Sequence, residues 1–476
     1  MIFLAATLIS GFAHASGIDI PSVGTGLSGP TTADAAAIYW NPAMLSRRER
    51  GEVLFGTGVV GGRVGYQRDR LGQYQYADTF EFNSPVDPSY IDSTRSGPAE
   101  AVSTFPAAPT GDFFLASGPI AKRLVLGVGA YVPYAAPLKF PDDGPQRFAL
   151  QEAFIAVTQI TGAAAVQLQP SLSLGATVSY VGGLGEISRI QDFAGVDPFA
   201  TALSNPPISQ ENSFGLDAPA TVRELDVLAR PFAMTDGLSH GIDFSVGLAV
   251  VPSDDLTLGL SYQHGSLLKF VGDFSMNMDD AFFTEDLAAQ GLSYPKLVRG
   301  EGVLSFRLPN RLTGGVSIAA SDKVTVDFTG AWIRWSTLKS FDLLLTSPEL
   351  AQPDLNVPDS IAATLPRNWT DTVHAETRIA AQTSEKLLVA GTVGYHSPAS
   401  PDSTIDAASP DGHRLVGGFT SVFDLSDRTA LVADSELHGI LPRTVTESDF
   451  DLGNGTYTMV VGSLLVHLQV ALGRSE

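Results

Sequence analysis

From residue 51 to the end, the chain alternates apolar and polar positions in short runs. In 171–180, Leu172, Leu174, Ala176, Val178 and Tyr180 fall on one side of an extended backbone. Ser171, Ser173, Thr177 and Ser179 fall on the other. The period of two predicts a strand with one apolar and one polar face. In 256–263, Leu256, Leu258, Leu260 and Tyr262 oppose Thr257, Ser261 and Gln263. Near the end, Val460, Leu464, Val466, Leu468, Val470 and Leu472 oppose Ser463, His467 and Gln469. Twelve such runs come in six pairs, joined by tight polar turns at 120–123, 169–171, 252–255, 321–323, 383–386 and 426–428. Ser, Asp and Pro suit such turns through local side-chain hydrogen bonds and a preset φ.

Between the pairs lie long polar, Pro-rich or acidic connections at 67–108, 135–147, 191–238, 275–300, 342–366, 397–411 and 439–454. With a first strand near 52–66 and a last near 456–472, the pattern predicts fourteen strands, seven long loops and six short turns. Strict alternation of short and long connections is the plan of an outer-membrane barrel, with short turns on the periplasmic side. A soluble β-sandwich would share the two-faced strands. These strands, however, run to ten residues or more. That is close to the ~9–11 that cross a bilayer at a tilt and longer than the ~5–6 of ordinary strands. The expected fold is all-β, a 14-stranded antiparallel transmembrane barrel.

Composition sharpens this picture. Charged residues make up 17% of the 476, and the formal net charge is -22. An acidic chain lacks the basic footprint that nucleic acid needs. Cysteine is absent, which excludes disulfides, thiolate catalysis and Cys-based metal sites. Residues 1–15, MIFLAATLISGFAHA, read as a signal peptide closing on Ala13-His14-Ala15, although no Lys or Arg follows Met1. Asp327, Glu376, Arg378, Asp434 and Glu436 sit within strands, each out of phase with apolar neighbours. In a barrel that phase places them in the lumen, as a polar network able to hold an internal plug. No G-x-S-x-G, H-E-x-x-H or compact Ser/His/Asp cluster is present. An enzyme is therefore not expected, nor is a cofactor or metal.

The stretch VGTGLSGPTTADAAAIYWNPAML precedes the first strand and ends on Asn41, Pro42 and Ala43. With FRLPNRLTGGVSIAASDKVTVDFTGAWIRWST and LPRNWTDTVHAETRIAAQTSEKLLVAGTVGYHSPASPDST, it resembles the FadL/TodX family of outer-membrane transporters. The resemblance covers that stretch and 300–440 well; in the loops 67–108 and 191–240 only position matches. It implies a small N-terminal hatch at 16–47 plugging the lumen, ended by the Asn-Pro-Ala turn, with the barrel at 48–476. It further implies a lateral opening at the third strand, here RLVLGVGAYVPYAAPLKF. There, Gly127, Gly129 and Pro133 would weaken the ladder; alternatively, Pro133 marks the strand's outer end. Helical outer loops would form an apolar groove, for which Phe282, Phe283, Leu287 and Leu292 are candidates. Trp332, Arg334 and Trp335 could hold a ligand tail and carboxylate, or form the aromatic girdle at the membrane interface. The implied ligand is a long-chain fatty acid or another hydrophobic small molecule. The protein would be a monomer among outer-membrane lipid and lipopolysaccharide of a Gram-negative bacterium. A docking or adhesion role on the same barrel is the alternative. One feature departs from the family: Leu472 stands where a terminal aromatic residue is usual.

Overall fold

The computed structural model describes residues 23–192 and 229–473, apart from 71–96, 99, 121–122, 281, 290, 292, 354–357 and 449–452. The signal peptide expected at 1–15 and the start of the expected hatch lie outside the described residues.

The chain closes into an antiparallel barrel of fourteen strands. The first six are β1 (Gly51–Arg70), β2 (Ala107–Ala116, with outer pieces Val102–Thr104 and Gly97–Pro98), β3 (Leu124–Lys139), β4 (Glu152–Gln169), β5 (Leu172–Asp192) and β6 (Ala229–Ser253). Four broken strands follow: β7 (Leu256–Gln263 and Leu267–Asn277), β8 (Leu297–Arg307 and Asn310–Ser321), β9 (Val324–Arg334 and Ser340–Thr346) and β10 (Ser360–Pro366 and Thr372–Ser384). The last are β11 (Leu387–His396), β12 (Arg414–Ser426), β13 (Thr429–Val445) and β14 (Gly455–Leu472). β14 returns to β1 along a ladder from Gly51–Leu472 to Arg68–Gly455, so the sheet has no free lateral edge at its seam.

All six tight turns fall where the alternation stops. Several of the long connections are shorter than the sequence suggests, because strand pairing runs on past the two-faced stretches. β6 begins at Ala229, inside the loop read as 191–238, and β13 continues to Val445, inside 439–454. The loop read as 342–366 holds strand at both ends, Ser340–Thr346 and Ser360–Pro366. Beyond the hydrocarbon layer either face can be polar, so the two-faced signal fades while backbone pairing continues.

Burial is inverted relative to a soluble protein. On β5, Val178 is 63% exposed and Ser179 4%. On β14, Leu464 and Leu468 point outward while Ser463 and His467 are buried. Apolar outside and polar inside is the signature of a wall facing lipid. The inward face changes along each strand. Following β14 outward, it passes from His467 and Ser463 to Val461, Met459 and Tyr457. β5 likewise passes from Ser173, Thr177 and Ser179 to Val181. The outer half of the lumen is therefore apolar, with Phe270, Phe274, Phe306, Trp335 and Trp369 in one continuous buried cluster.

Candidate functional site

The N-terminal segment packs against the inner wall. Ala35, Ala36, Ala37, Ile38 and Leu45 are buried with Leu54 of β1, Phe114 of β2, Val125 and Tyr131 of β3 and Ala249 of β6. Its regular structure is one helical turn, α1 (Ala37–Trp40), followed by the 3-10 turn Pro42–Arg47. Asn41 joins the two. Its Oδ1 accepts from the Ala43 N–H at 3.2 Å, and its Nδ2 donates to the carbonyls of Pro30 at 2.8 Å and Leu248 at 3.1 Å. The side chain thus caps the 3-10 turn and ties it to the wall. Pro42, which has no N–H to satisfy, starts that turn.

Polar groups all round the barrel reach the segment. Gly24 N–H donates to Asp112 Oδ2 at 2.7 Å, and Gly26 N–H donates to Asp434 Oδ1 at 2.8 Å. His467 lies between those two carboxylates, with Nδ1 3.1 Å from Asp434 and Nε2 3.4 Å from Asp112. Only glycine fits at 26, since a Cβ there would lie 2.1 Å from Thr420 Oγ1. Across the lumen, Arg378 pairs with Asp327 at 2.9 Å and donates to the carbonyls of Gly26 at 3.0 Å and Ser28 at 3.4 Å. At the base, Glu52 accepts from Ala35 N–H at 2.8 Å and pairs with Arg48 at 2.7 Å. Asp34 is buried in the segment, where Ser28 Oγ donates to it at 2.5 Å. Burial, then the neighbouring Glu52 charge, push its carboxyl up to about 6.

The five expected lumenal residues therefore divide. Arg378 and Asp434 reach the segment directly, and Asp327 acts through Arg378, which it pairs with. Glu376 and Glu436 do not; they pair with His396, at 2.8 Å, and with His438. His467 was read from the sequence only as a polar-face residue of the last strand, and Asp112 was not picked out, because their mutual contact joins the second strand to the fourteenth and forms only when the barrel closes.

The wall beside the segment is incompletely paired. β2 and β3 share a ladder only from Phe113–Ala130 to Ala116–Gly127. Farther out, Ala107–Asp112 is paired to β1, and 131–139 is paired to β4. The β3–β4 register slips between Tyr131 and Tyr134, so Val132 and Pro133 form a bulge. Pro133 thus lies within the strand, which continues to Lys139, and does not mark its outer end. The strands meet again where Thr104 Oγ1 donates to the Lys139 carbonyl. Gly127 and Gly129 face inward at the same place. A Cβ on Gly127 would lie 2.8 Å from Ile38 Cδ1, and one on Gly129 would lie 2.7 Å from the Phe114 ring. Tyr39 meets Tyr131 edge-on at 5.2 Å.

The expected groove residues do not form one group. Trp332 faces outward and is 40% exposed, as a girdle residue would be. Arg334 is exposed, and Trp335 turns inward and is fully buried. Trp332 and Trp335 are three positions apart, so the alternation of the strand itself puts them on opposite faces, with Arg334 on the Trp332 side and Ile333 on the Trp335 side. Phe282 and Leu287 fall in the short helical stretch 282–289; of the four candidates there, Phe283 is the one whose side chain is described, and it is buried. Leu292 lies outside the described residues.

Comparison with known proteins agrees with this architecture. The chain is similar to the crystal structure of a Pseudomonas aeruginosa FadL homologue, with 17% identity, a TM-score of 0.70, and 97% of this chain and 99% of that one covered. It is also similar to the Ralstonia pickettii toluene transporter TbuX, with 15% identity, a TM-score of 0.59, and 98% and 99% covered. For the Pseudomonas putida toluene transporter TodX the figures are 14%, 0.62, and 98% and 100%. No curated protein sequence matches. Residues 6–432 match the family described as "Outer membrane protein transport protein (OMPP1/FadL/TodX)". The chain is therefore an outer-membrane barrel belonging to the OMPP1/FadL/TodX family, whose members are transporters of hydrophobic compounds and not enzymes.

Proposed function

We propose that this barrel takes up long-chain fatty acids or other hydrophobic molecules, including aromatic hydrocarbons, and releases them sideways into the membrane. A water-filled pore suits such a cargo badly. Each buried methylene is worth about 0.8 kcal/mol, so a ~16-carbon chain resists re-entering water by roughly 13 kcal/mol. The cargo has to pass from one apolar surface to another. The observation that carries the reading is the coincidence of three features at one level: the inner end of the apolar lining, the docked N-terminal segment, and the unladdered stretch between β2 and β3.

In this reading residues 16–47 are a hatch. Arg378, Asp434 and Asp112 hold it, with Asp327 positioning Arg378 and His467 lying between the two other carboxylates, while Glu376 and Glu436 form the polar floor above it. Cargo captured at the outer loops moves along the apolar lining and displaces Ile38 and Tyr39 from β3. It then leaves beside Gly127, Gly129 and Pro133. The protein works as a monomer among outer-membrane lipid and lipopolysaccharide. The toluene transporters among its structural neighbours make monoaromatic cargo a natural first choice beside fatty acids.

The test is uptake of radiolabelled oleate and toluene by cells carrying the intact protein or a variant lacking residues 23–45. Uptake of either compound that needs both the barrel and the segment supports the reading. A correctly inserted intact barrel that takes up neither compound refutes it.

A further inference from the structure

The breaks in β7, β8 and β9 face one another across their ladders, and the outward side of the wall is basic there. The inner part of β9, Val324–Arg334, is eleven residues long. Crossing the hydrocarbon at a tilt takes ~9–11. Arg334 therefore stands where the hydrocarbon ends, on the side of the long loops. Its cross-strand partner on β8 is Asn310. Farther out on β8 comes Arg307, and farther out on β9 comes Lys339. Arg307 is paired with Leu267 of β7. Lys269 is thus its diagonal neighbour on the outward face, ~7–8 Å away. On the other side Ser305 is paired with Asp342, which brings Arg307 level with Ser340, next to Lys339. All four bases are exposed.

The band also holds two exposed acids, Asp342 and Asp371. Each is engaged by its own neighbours. Asp342 accepts from Ser340 Oγ at 2.8 Å, and Asp371 accepts from the Ser336 N–H at 3.0 Å. Asp243, behind the β7 break, is buried and turned to the lumen, where it binds His264 at 2.7 Å and Ser266 at 3.0 Å. Four outward bases against two acids leave a positive band, on a chain whose net charge is -22. Farther out the sign reverses. Asp273 and Glu301 face each other across the ladder, with Asp236, Glu349, Asp359 and Arg299 at that height or beyond. Strand rise puts this ring about 10–13 Å from Lys269, farther than the ~8 Å over which exposed charges are screened.

Other outward bases of the wall have partners. Lys139 pairs with Glu152 at 2.6 Å, Lys296 with Asp279 at 2.7 Å and Arg443 with Asp402 at 2.5 Å, while Arg63 lies over the Phe105 ring at 5.6 Å. Among the described residues, none of Lys269, Arg307, Arg334 and Lys339 has a carboxylate at ion-pair distance. Arg307 donates to the Gly265 carbonyl at 3.3 Å. Lys and Arg at the end of a membrane span reach for the headgroups. That tendency by itself would spread such bases around the ring, whereas here they share three adjacent strands. Toward the midplane the same strands turn apolar. Leu312 lies directly opposite both Tyr262 and Trp332, and Leu312, Trp332, Phe328 and Leu260 are exposed.

We propose that the outward face of β7 to β9 binds one lipopolysaccharide molecule. Lys269, Arg307, Arg334 and Lys339 hold the phosphates of its lipid A, and Leu312, Trp332 and Phe328 lie along its acyl chains. Charge complementarity and height carry the inference. Lipid A joins phosphates at the headgroup level to several acyl chains on one saccharide, so a single molecule uses both halves of the patch. The inference concerns what the wall holds, and it stands whether or not the barrel carries cargo.

The experiment uses the full-length barrel, refolded in detergent free of lipopolysaccharide. It is titrated with lipid A, with lipid A stripped of both phosphates, and with phosphatidylglycerol, and bound lipid is counted by native mass spectrometry. Each Lys or Arg at an anionic lipid surface corresponds to roughly fivefold in affinity. Lys269→Gln and Arg307→Gln are each expected to weaken lipid A by about that factor, and the double variant by roughly 25-fold. Arg63→Gln, on the opposite wall, is expected to change nothing. Stripping the phosphates is expected to cost the wild type at least as much as the double substitution does. Heat-dependent mobility in gels shows that each variant is folded. Lipid A that binds the folded double variant as tightly as the wild type would overturn the proposal. So would stripped lipid A that binds the wild type as tightly as the phosphorylated form, a result that needs no variant. Phosphatidylglycerol binding as tightly as lipid A would also overturn it, by making the patch a general anionic-lipid surface.

Discussion

Replacing Arg378 with Met separates the docking of the N-terminal segment from the stability of the barrel. The guanidinium does two things: it neutralises Asp327, and it donates to the carbonyls of Gly26 and Ser28. The Arg378 and Asp327 side chains are 13% and 9% exposed, so the pair is largely desolvated. Removing one partner of such a pair costs about 3–5 kcal/mol, most of it from the charge left behind. That part falls on the wall whether or not the segment is docked. The lost bonds to the two carbonyls fall on docking alone. Hydrogen bonds to charged groups contribute about 1.5–3 kcal/mol, and the 3.4 Å bond to Ser28 is a weak one. Docking should therefore weaken by about 2–3 kcal/mol, raising the undocked fraction roughly 30–150-fold. The double variant Arg378→Met, Asp327→Leu removes the stranded charge as well. It should regain barrel stability in urea while keeping the loosened segment. Open events in planar-bilayer conductance read docking, and heat-dependent mobility in gels reads the barrel. A single variant with wild-type conductance and an intact barrel would refute the assignment of Arg378 to the segment. A double variant that also restores wild-type conductance would refute the division of the energies.

Three further outcomes follow from the same structure. Asp34 has its carboxyl raised from 3.8 to about 6 by burial, so the docked segment holds that proton more tightly than the free one does. The penalty for ionising it is absent below about pH 4 and complete above about 6; conductance should fall on acidification across that window, and Asp34→Asn should flatten the response. Val178→Arg places a charge on the lipid face and should destabilise the barrel by up to about 2–4 kcal/mol in urea refolding, depending on depth, whereas Val178→Leu should be neutral. Trp332→Ala removes an outward-facing girdle residue and should leave uptake of toluene and oleate unchanged in cells with equal amounts of inserted protein.

The sequence disclosed the wall far better than its contents. Alternation in β5 and β14 carries both the face and the register, because a lipid-facing strand tolerates few exceptions. The breaks in β7 to β10 were not legible. Pro309 and Pro366 lie at two of them, but nothing in WIRWSTLKSF marks that the strand stops after Arg334 and resumes at Ser340. Such a break is set by conformation and not by composition. The lumenal acids were legible as inward-facing, since phase alone fixes that. Their partners were not: Asp434 meets His467 and Gly26, whereas Glu436, two residues on, meets His438. Such a choice depends on which side chains the closed barrel brings across. Pro133 was legible as a weak point in β3, and its position inside the strand became visible only with the β3–β4 register.

The account's central claim is lateral release through the wall between β2 and β3. The most direct test deletes Pro133. In the present register, three steps from Tyr131 to Tyr134 face two from Gln159 to Val157, so one residue is in excess. Deleting it removes the bulge and lets the β2–β3 ladder continue outward past Phe113 and Ala130. The measurement is initial uptake of radiolabelled toluene and oleate by cells carrying equal amounts of folded wild-type or deleted barrel. The account predicts a loss of at least about tenfold for whichever compound the wild type carries, with the barrel's heat-dependent mobility preserved. Uptake at the wild-type rate through the regularised wall would contradict it.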